Sequence, residues 1–106
     1  MLVEVAKTAD IPEGEVRCVL VGEVPIAVVN LGDGQFVAVD DICSHAEASL
    51  SEGEVDVDDQ TIECPRHGST FDLRTGQPRS LPATVPVATY PVKVEGDTIL
   101  IELEER

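Results

Sequence analysis

The sequence predicts an all-β protein built as an antiparallel sandwich or a small barrel. Three observations predict this fold class: short β-branched runs separated by turn residues, two glycine-aspartate turns between neighbouring runs, and no helical period sustained over a dozen residues. With 106 residues the chain has room for one domain, 1–106. Its composition, 42% hydrophobic and 26% charged, excludes a disordered tail.

The predicted strands follow one another at short intervals. The triplet Gly32-Asp33-Gly34 joins two of them as a hairpin, and Gly96-Asp97 joins the last two in the same way. Residues 46–50 have the length of one helical turn, whereas residues 76–91 carry four prolines and are predicted as an ordered loop. The predicted strands are residues 2–6, 16–21, 26–31, 36–39, 61–63, 70–73, 91–95 and 98–103.

The chain is strongly acidic. It contains 21 Asp and Glu against 7 Lys and Arg, a net charge of −14, which disfavours nucleic acid and anionic membrane surfaces as partners. Between Arg17 and Arg66 there is no Lys or Arg, but there are eleven acidic residues. This stretch is interpreted either as a solvated surface or as a docking face for a basic partner.

The first residues of the chain and its cysteine content predict the cellular compartment of the protein. Residues 1–5 lack a basic start and a long apolar run, so they predict neither a signal peptide nor a membrane anchor. Three cysteines without an export signal favour a reducing, cytoplasmic compartment over a disulfide framework. Cys18, in the middle of the predicted strand 16–21, is expected to be a small buried thiol.

Both histidines of the chain lie close to two of its cysteines. One residue separates Cys43 from His45, and two residues separate Cys64 from His67. Each pair follows the end of a predicted strand, so each lies in a loop whose backbone amides can face a ligand. Two loops that each offer one thiolate and one imidazole describe a four-ligand metal site. Tetrahedral zinc is one alternative, although zinc sites usually pair Cys with Cys and His with His along the sequence.

With this mixed spacing the chain resembles the Rieske iron–sulfur family, whose pattern reads Cys-x-His, a spacer and Cys-x2-His. The resemblance extends through the proline-rich segment to the final hairpin. It implies a Rieske-like antiparallel β-sandwich with a small cluster-binding subdomain formed by two loops, at about residues 41–50 and 63–72. Residues that match beyond the ligand positions are Gly68, Phe71, Asp72, Thr75 and Gly76.

The resemblance also implies the cofactor and its ligands. One [2Fe–2S] cluster is expected, with Cys43 and Cys64 on one iron and His45 and His67 on the other. In the resembling family the histidine-bound iron lies near the surface, so the two histidines are expected to mark the path by which the electron leaves.

The same resemblance gives roles to residues around the cluster. Ser69 matches a serine that donates a hydrogen bond to a cluster sulfide in high-potential members; the alternative is a plain polar loop residue. Arg66 is expected either beside the cluster or facing solvent, and Pro82 either in a loop covering the cluster or in an ordinary connection. Phe71 replaces the tyrosine of the high-potential members, and the extra disulfide cysteines of those members are absent. A potential in the lower part of the Rieske span of about −150 to +300 mV follows.

The resemblance is closest to Rieske ferredoxins. These pass single electrons from a flavin-dependent ferredoxin reductase to a terminal non-haem iron oxygenase, such as an aromatic-ring dioxygenase. The chain has no nucleotide fingerprint and no nucleophile with a free histidine, which favours an electron carrier over an enzyme. The open alternatives are a Rieske small subunit of another redox enzyme such as nitrite reductase, an accessory to iron–sulfur assembly, and a zinc-stabilised interaction module.

Overall fold

A computed structural model describes residues 2–42, 49–66, 68–79 and 86–102 of the chain. Within these residues the structure is built of strands and two short 3-10 helices, Thr8–Asp10 and Leu50–Glu52. No helix in the described segments is long and apolar enough to cross a membrane. The strands are β1 (Leu2–Lys7), β2 (Val16–Val21), β3 (Val24–Gly32), β4 (Gln35–Asp40), β5 (Val55–Asp56), β6 (Thr61–Glu63), β7 (Thr70–Asp72), β8 (Thr89–Tyr90), β9 (Val92–Glu95) and β10 (Thr98–Glu102).

The strands form three antiparallel sheets. The central sheet has the order β2-β3-β4-β8, a second sheet has the order β1-β10-β9, and a third, smaller sheet has the order β5-β6-β7. The central sheet packs against the β1-β10-β9 sheet on one face and against the β5-β6-β7 sheet on the other. The predicted all-β, antiparallel sandwich is therefore confirmed.

Strand β3 lies at the centre of this arrangement and is buried on both faces. Ile26 and Val28 pack with Ile99 and Ile101 of β10, whereas Ala27 and Val29 belong to the apolar cluster on the opposite face. All four of these β3 residues are fully inaccessible to solvent. A strand with two buried faces gains hydrophobic stabilisation from successive residues, which explains why residues 26–29 are a continuous apolar run rather than an alternating one.

Both predicted hairpins are present. Between β3 and β4, Asp33 and Gly34 have φ angles of 54° and 76°. Positive φ at both central residues is the requirement of the two-residue turn that matches strand twist, and Asp-Gly satisfies it at low cost. Gly96 and Asp97 join β9 to β10, where Glu95 pairs with Thr98.

The structure adds elements that the sequence pattern did not predict. Strands β5 and β8 have two residues each, too few to show a period, and β8 lies within the segment predicted as a loop. Strand β8 forms because Thr89 and Tyr90 pair with Val39 and Ala38 of β4. The helical turn predicted at 46–50 overlaps the observed 3-10 helix only at Leu50, and residues 46–48 lie outside the described part of the chain.

Candidate metal centre

Of the four predicted ligands, Cys64 is the one that the structure describes. It follows β6 directly, and its thiol is fully buried in the apolar cluster shared by the central sheet and the β5-β6-β7 sheet. The other three, Cys43, His45 and His67, lie outside the described residues, as does Pro82. Within the described ranges no group of three or more His, Cys, Asp or Glu side chains is placed to hold a metal ion.

The loop between β6 and β7 is closed by its own backbone. The Cys64 N–H donates to the Ser69 carbonyl oxygen at 2.7 Å, and the Gly68 N–H donates to the Cys64 carbonyl oxygen at 3.0 Å. These bonds place Cys64 and Ser69 side by side at the base of the loop, both fully buried, while Arg66 is exposed. Burial of Ser69 shows that it is not a solvent-facing loop residue.

Backbone hydrogen bonds also join the residues on either side of segment 43–48. Ile42 and Ser49 form an antiparallel bridge, and the Leu50 N–H donates to the Asp41 carbonyl oxygen at 2.6 Å. The predicted ligands Cys43 and His45 therefore belong to a segment whose ends are paired.

The side chain of Asp41 reinforces this pairing. Asp41 is 2% exposed, and its carboxylate accepts hydrogen bonds from the Ser49 hydroxyl and, at 2.9 Å, from the Ser51 N–H. The hydroxyl groups of Ser49 and Ser51 lie 2.8 Å apart. A buried carboxylate costs free energy unless hydrogen bonds satisfy it, so the three residues form a structural unit. Sequence reasoning missed Asp41, because the neighbouring Asp40 and Asp41 carry no pattern that distinguishes a buried carboxylate from an exposed one.

The segments that carry the two ligand pairs meet at Gly53. A Cβ atom on Gly53 would lie 1.7 Å from the carbonyl oxygen of Glu63, the residue that precedes Cys64. The Glu63 N–H also donates to the Glu54 carbonyl oxygen at 2.9 Å. Beneath this contact, Leu50 shares the apolar cluster of Cys64. The chain leaving the first ligand segment is thus packed directly against the chain entering the second.

The described ends of the proline-rich segment lie beside β7 and the residues that follow it. Phe71 of β7 forms a bridge with Pro78, and the Arg79 N–H donates to the Thr70 carbonyl oxygen at 2.7 Å. At the other end of the segment, the Val87 N–H donates to the Gly76 carbonyl oxygen at 2.9 Å. Both ends of residues 80–85 are therefore attached beside β7, the strand that leaves the second loop.

Cys18 differs from the expectation of a buried thiol. The residue is exposed, because β2 is an edge strand of the central sheet and neither of the other sheets covers it there. Desolvation by nearby protein atoms nevertheless raises the pKa of the Cys18 thiol; the Asp41 carboxylate raises it further, and a hydrogen bond with Ser51 opposes the change. A raised pKa lowers the fraction of the Cys18 thiol that is ionised at neutral pH.

Residues 1–91 match the Rieske [2Fe-2S] domain, and the chain belongs to this family. It is 52% identical over 97 residues, 92% of this chain and 89% of the relative, to the 3-phenylpropionate/cinnamic acid dioxygenase ferredoxin subunit of Escherichia coli strain K12. The structure is similar to the ferredoxin of carbazole 1,9a-dioxygenase from Nocardioides aromaticivorans IC177, with a TM-score of 0.93 and 36% identity, covering 98% of this chain and 99% of that one.

A third comparison concerns a complex. The chain is also similar, with a TM-score of 0.86 and 42% identity over 97% of each chain, to a chain from the complex of reduced oxygenase and oxidised ferredoxin in carbazole 1,9a-dioxygenase. These relatives confirm the resemblance to dioxygenase ferredoxins that the ligand spacing indicated.

The family carries a Rieske-type [2Fe–2S] cluster, and so does this chain. The described residues fit such a group. Cys64 is buried where the two ligand-bearing segments meet, in agreement with a thiolate shielded from water. A set of two thiolates and two imidazoles is the donor chemistry of this cluster type. The zinc-stabilised module is not supported by the family membership.

Gly53→Ala is expected to separate the two ligand-bearing segments, because a methyl group cannot occupy the position 1.7 Å from the Glu63 carbonyl oxygen. We expect a loss of roughly 1–3 kcal/mol in the free energy of unfolding and a marked loss of bound iron and acid-labile sulfide. Iron and sulfide analysis with denaturant unfolding measures both.

Gly34→Ala is the matched control. Gly34 has positive φ, and nothing lies within 4 Å of the position of its Cβ atom. This variant should lose about 1–2 kcal/mol through backbone strain and keep its cluster. Full iron and sulfide content in Gly53→Ala would show that the close contact between Gly53 and Glu63 is not required for cluster binding.

Proposed function

We propose that this chain carries single electrons from a flavin-dependent ferredoxin reductase to a terminal non-haem iron oxygenase, through a [2Fe–2S] cluster held by Cys43, His45, Cys64 and His67. The observation that carries the proposal is the meeting of the two ligand-bearing segments at the buried Cys64, in a chain of the Rieske family. Its 52% identity to a dioxygenase ferredoxin subunit supports the type of acceptor.

The cluster supplies reversible one-electron redox chemistry when bound. The residues around it hold it and limit water. Cys64 lies in an apolar cluster with Ile62 and Phe71, which keeps water away from this proposed ligand. Contacts of Asp41 and Ser49 hold together the two ends of the segment that carries the proposed ligands Cys43 and His45. Under this proposal the oxygenase oxidises the organic substrate, and this chain supplies the electrons.

Acidic side chains are exposed along residues 52–59, which lead into β6. This stretch exposes five carboxylates and contains no Lys or Arg, although the Arg79 guanidinium reaches it and donates to the Asp59 carbonyl oxygen at 3.3 Å. We propose that these carboxylates attract a basic surface on a redox partner, since a field of one sign raises the rate of encounter with a partner of the opposite sign. The residues are Glu52, Glu54, Asp56, Asp58 and Asp59.

Cys64→Ser and Cys18→Ser form a matched pair that tests the ligand set. Replacing a thiolate ligand by a hydroxyl should abolish the cluster, whereas the exposed Cys18 is not in the proposed set. We expect iron, acid-labile sulfide and the paramagnetic resonance signal of the reduced sample to be lost in Cys64→Ser and retained in Cys18→Ser. Zinc in place of iron in the unmodified protein, or a cluster that survives in Cys64→Ser, would contradict the proposal.

Electron carriage is tested with the reductase and oxygenase components of the Escherichia coli K12 3-phenylpropionate/cinnamic acid dioxygenase, with that system's own ferredoxin subunit as positive control. The chain should restore reductase-dependent oxidation of 3-phenylpropionate when the native ferredoxin is omitted. The rate should fall roughly tenfold or more between low and high salt, because salt screens the attraction between exposed charges.

Asp58→Asn/Asp59→Asn should lower the low-salt rate and flatten its salt dependence, whereas Asp97→Asn, in the turn between β9 and β10, should change neither. A rate independent of salt would exclude the attraction and leave electron carriage in place. No product at any salt concentration would contradict the carrier function itself.

Ser69→Ala is expected to lower the midpoint potential, because the buried hydroxyl is proposed to donate a hydrogen bond to a cluster sulfide and so to stabilise the added electron. Thr75→Ala removes an exposed hydroxyl beyond β7 and should leave the potential unchanged. Redox titration followed by paramagnetic resonance gives both values. An unaltered potential in Ser69→Ala, with full cluster content, would reject this role for Ser69.

A further inference from the structure

The chain that leaves the proline-rich segment is packed against the turn that follows β7. A Cβ atom on Gly76 would lie 2.0 Å from the carbonyl oxygen of Val87, so the two backbones are in direct contact. Val87 is buried, and it belongs to the apolar cluster that contains Cys64. Gly76 also has a φ of 78°, which a residue with a Cβ atom adopts only at a cost. Glycine is therefore favoured at position 76 for two independent reasons.

The turn that contains Gly76 is held to β7 by hydrogen bonds. The Gly76 N–H donates to the carbonyl oxygen of Asp72, the last residue of β7, at 2.7 Å. The Asp72 carboxylate accepts from the N–H groups of Arg74 and Thr75, at 2.7 and 3.1 Å. Through Gly76, Val87 is thus connected to the strand that leaves the second ligand loop.

Asp40, the last residue of β4, holds the same chain one residue further on. The Asp40 N–H donates to the Ala88 carbonyl oxygen at 2.9 Å, and the Ala88 N–H donates to the Asp40 carboxylate at 3.4 Å. The Tyr90 hydroxyl donates to the other oxygen of this carboxylate at 2.5 Å. Because Asp40 lies three residues before the predicted ligand Cys43, these bonds attach residues 88–90 to the strand that enters the first ligand segment.

The contacts of Gly76 and Asp40 complement the contact at Gly53. The Gly53 contact joins the chain leaving the first ligand segment to the chain entering the second loop. The contacts of Gly76 and Asp40 join the chain leaving the second loop to the chain entering the first segment. The two ligand-bearing segments are therefore connected at both ends. The residues of the second connection are called the return clasp; they are Asp40, Gly76, Val87, Ala88 and Tyr90.

We propose that the return clasp positions the two ligand-bearing segments for cluster binding, with Asp40 and Gly76 as its positioning residues. The inference rests on the proposed function. Segments connected at one end only can hinge about that contact, whereas a connection at each end fixes their separation. Opening of the return clasp would release this constraint, so the strength of its hydrogen bonds should control how fast iron leaves the protein. No residue of the return clasp is a predicted ligand, and its effect is exerted through position.

Three variants weaken the return clasp to different extents. Asp40→Ala removes the acceptor of the Ala88 and Tyr90 hydrogen bonds, and Tyr90→Phe removes the hydroxyl donor alone. Asp40→Asn keeps an oxygen that accepts from the Tyr90 hydroxyl and should restore part of what Asp40→Ala loses. These side-chain changes leave the close backbone contact at Gly76 in place.

Two controls separate positioning from general stability. Asp97→Ala removes an exposed aspartate in the turn between β9 and β10 and is the matched control for charge. Ile11→Val shortens a fully buried side chain and lowers stability. Ile11 lies far from the clasp along β3, because its carbonyl oxygen accepts from Asn30, whereas Asp40 pairs with Ile26.

The measurements are made on the cluster-bound protein. The first is the rate at which the dithionite-reduced protein releases iron to a ferrous-iron chelator. The second is hydrogen exchange of residues 86–90 by mass spectrometry, in which the Val87 N–H reports directly on its bond to Gly76. Asp40→Ala should release iron about tenfold faster and Tyr90→Phe about threefold faster, with exchange accelerated in parallel, because weaker hydrogen bonds make local opening more frequent. Asp40→Asn should fall between Asp40→Ala and the unmodified protein, and both controls should stay within about twofold of it.

Several outcomes would overturn the inference. Iron release at the unmodified rate in Asp40→Ala and Tyr90→Phe rejects it, even if exchange at residues 86–90 is faster. Equal acceleration in Ile11→Val shows that iron release follows overall stability and not the clasp. If Asp40→Ala does not fold, Tyr90→Phe decides the result, since it lacks only one hydroxyl group. Failure of the unmodified chain to reduce an oxygenase contradicts the proposed function, whereas the iron-release comparison still tests the clasp.

Discussion

The contact between Gly53 and the backbone of Glu63 is the constraint on which the site depends. Two segments distant in sequence, one leaving the first ligand pair and one entering the second, approach so closely that no side chain fits between them. The approach is supported from below by Leu50, Ile62 and Cys64, which share one apolar cluster. A cluster held by two loops requires the loops to lie close together, and the packing at Gly53 brings together the segments that carry the predicted ligands.

Hydrogen bonds also hold together the bases of the two segments that carry the predicted ligands. The second loop is closed between Cys64 and Ser69, and the first segment is closed at Ile42 and Ser49 with the buried carboxylate of Asp41 beneath it. Asp41 is stable in a buried position because a hydroxyl and an amide donor satisfy its carboxylate. The strand before it, β4, pairs with β3, whose residues 26–29 are buried on both faces of the sheet.

The sequence alone determined the local features of this protein. Strands β2, β6 and β10 follow from β-branched runs, the hairpins follow from Asp33-Gly34 and Gly96-Asp97, and the family follows from the spacing of two cysteines and two histidines. Each is encoded within a few neighbouring residues, which is why a pattern can reveal it. The ligand set, Cys43, His45, Cys64 and His67, stays a prediction.

The tertiary structure alone decided what depends on residues far apart in the chain. The two-residue strand β8 exists because β4 pairs with it, Cys18 is exposed because no sheet covers the edge at β2, and Asp41 is buried while the adjacent Asp40 is only partly so. The requirement for glycine at position 53 arises from a carbonyl oxygen ten residues later. Whether a single residue is buried, or two backbones approach closely, depends on which distant residues pack there, and the neighbours of that residue in the sequence do not specify them.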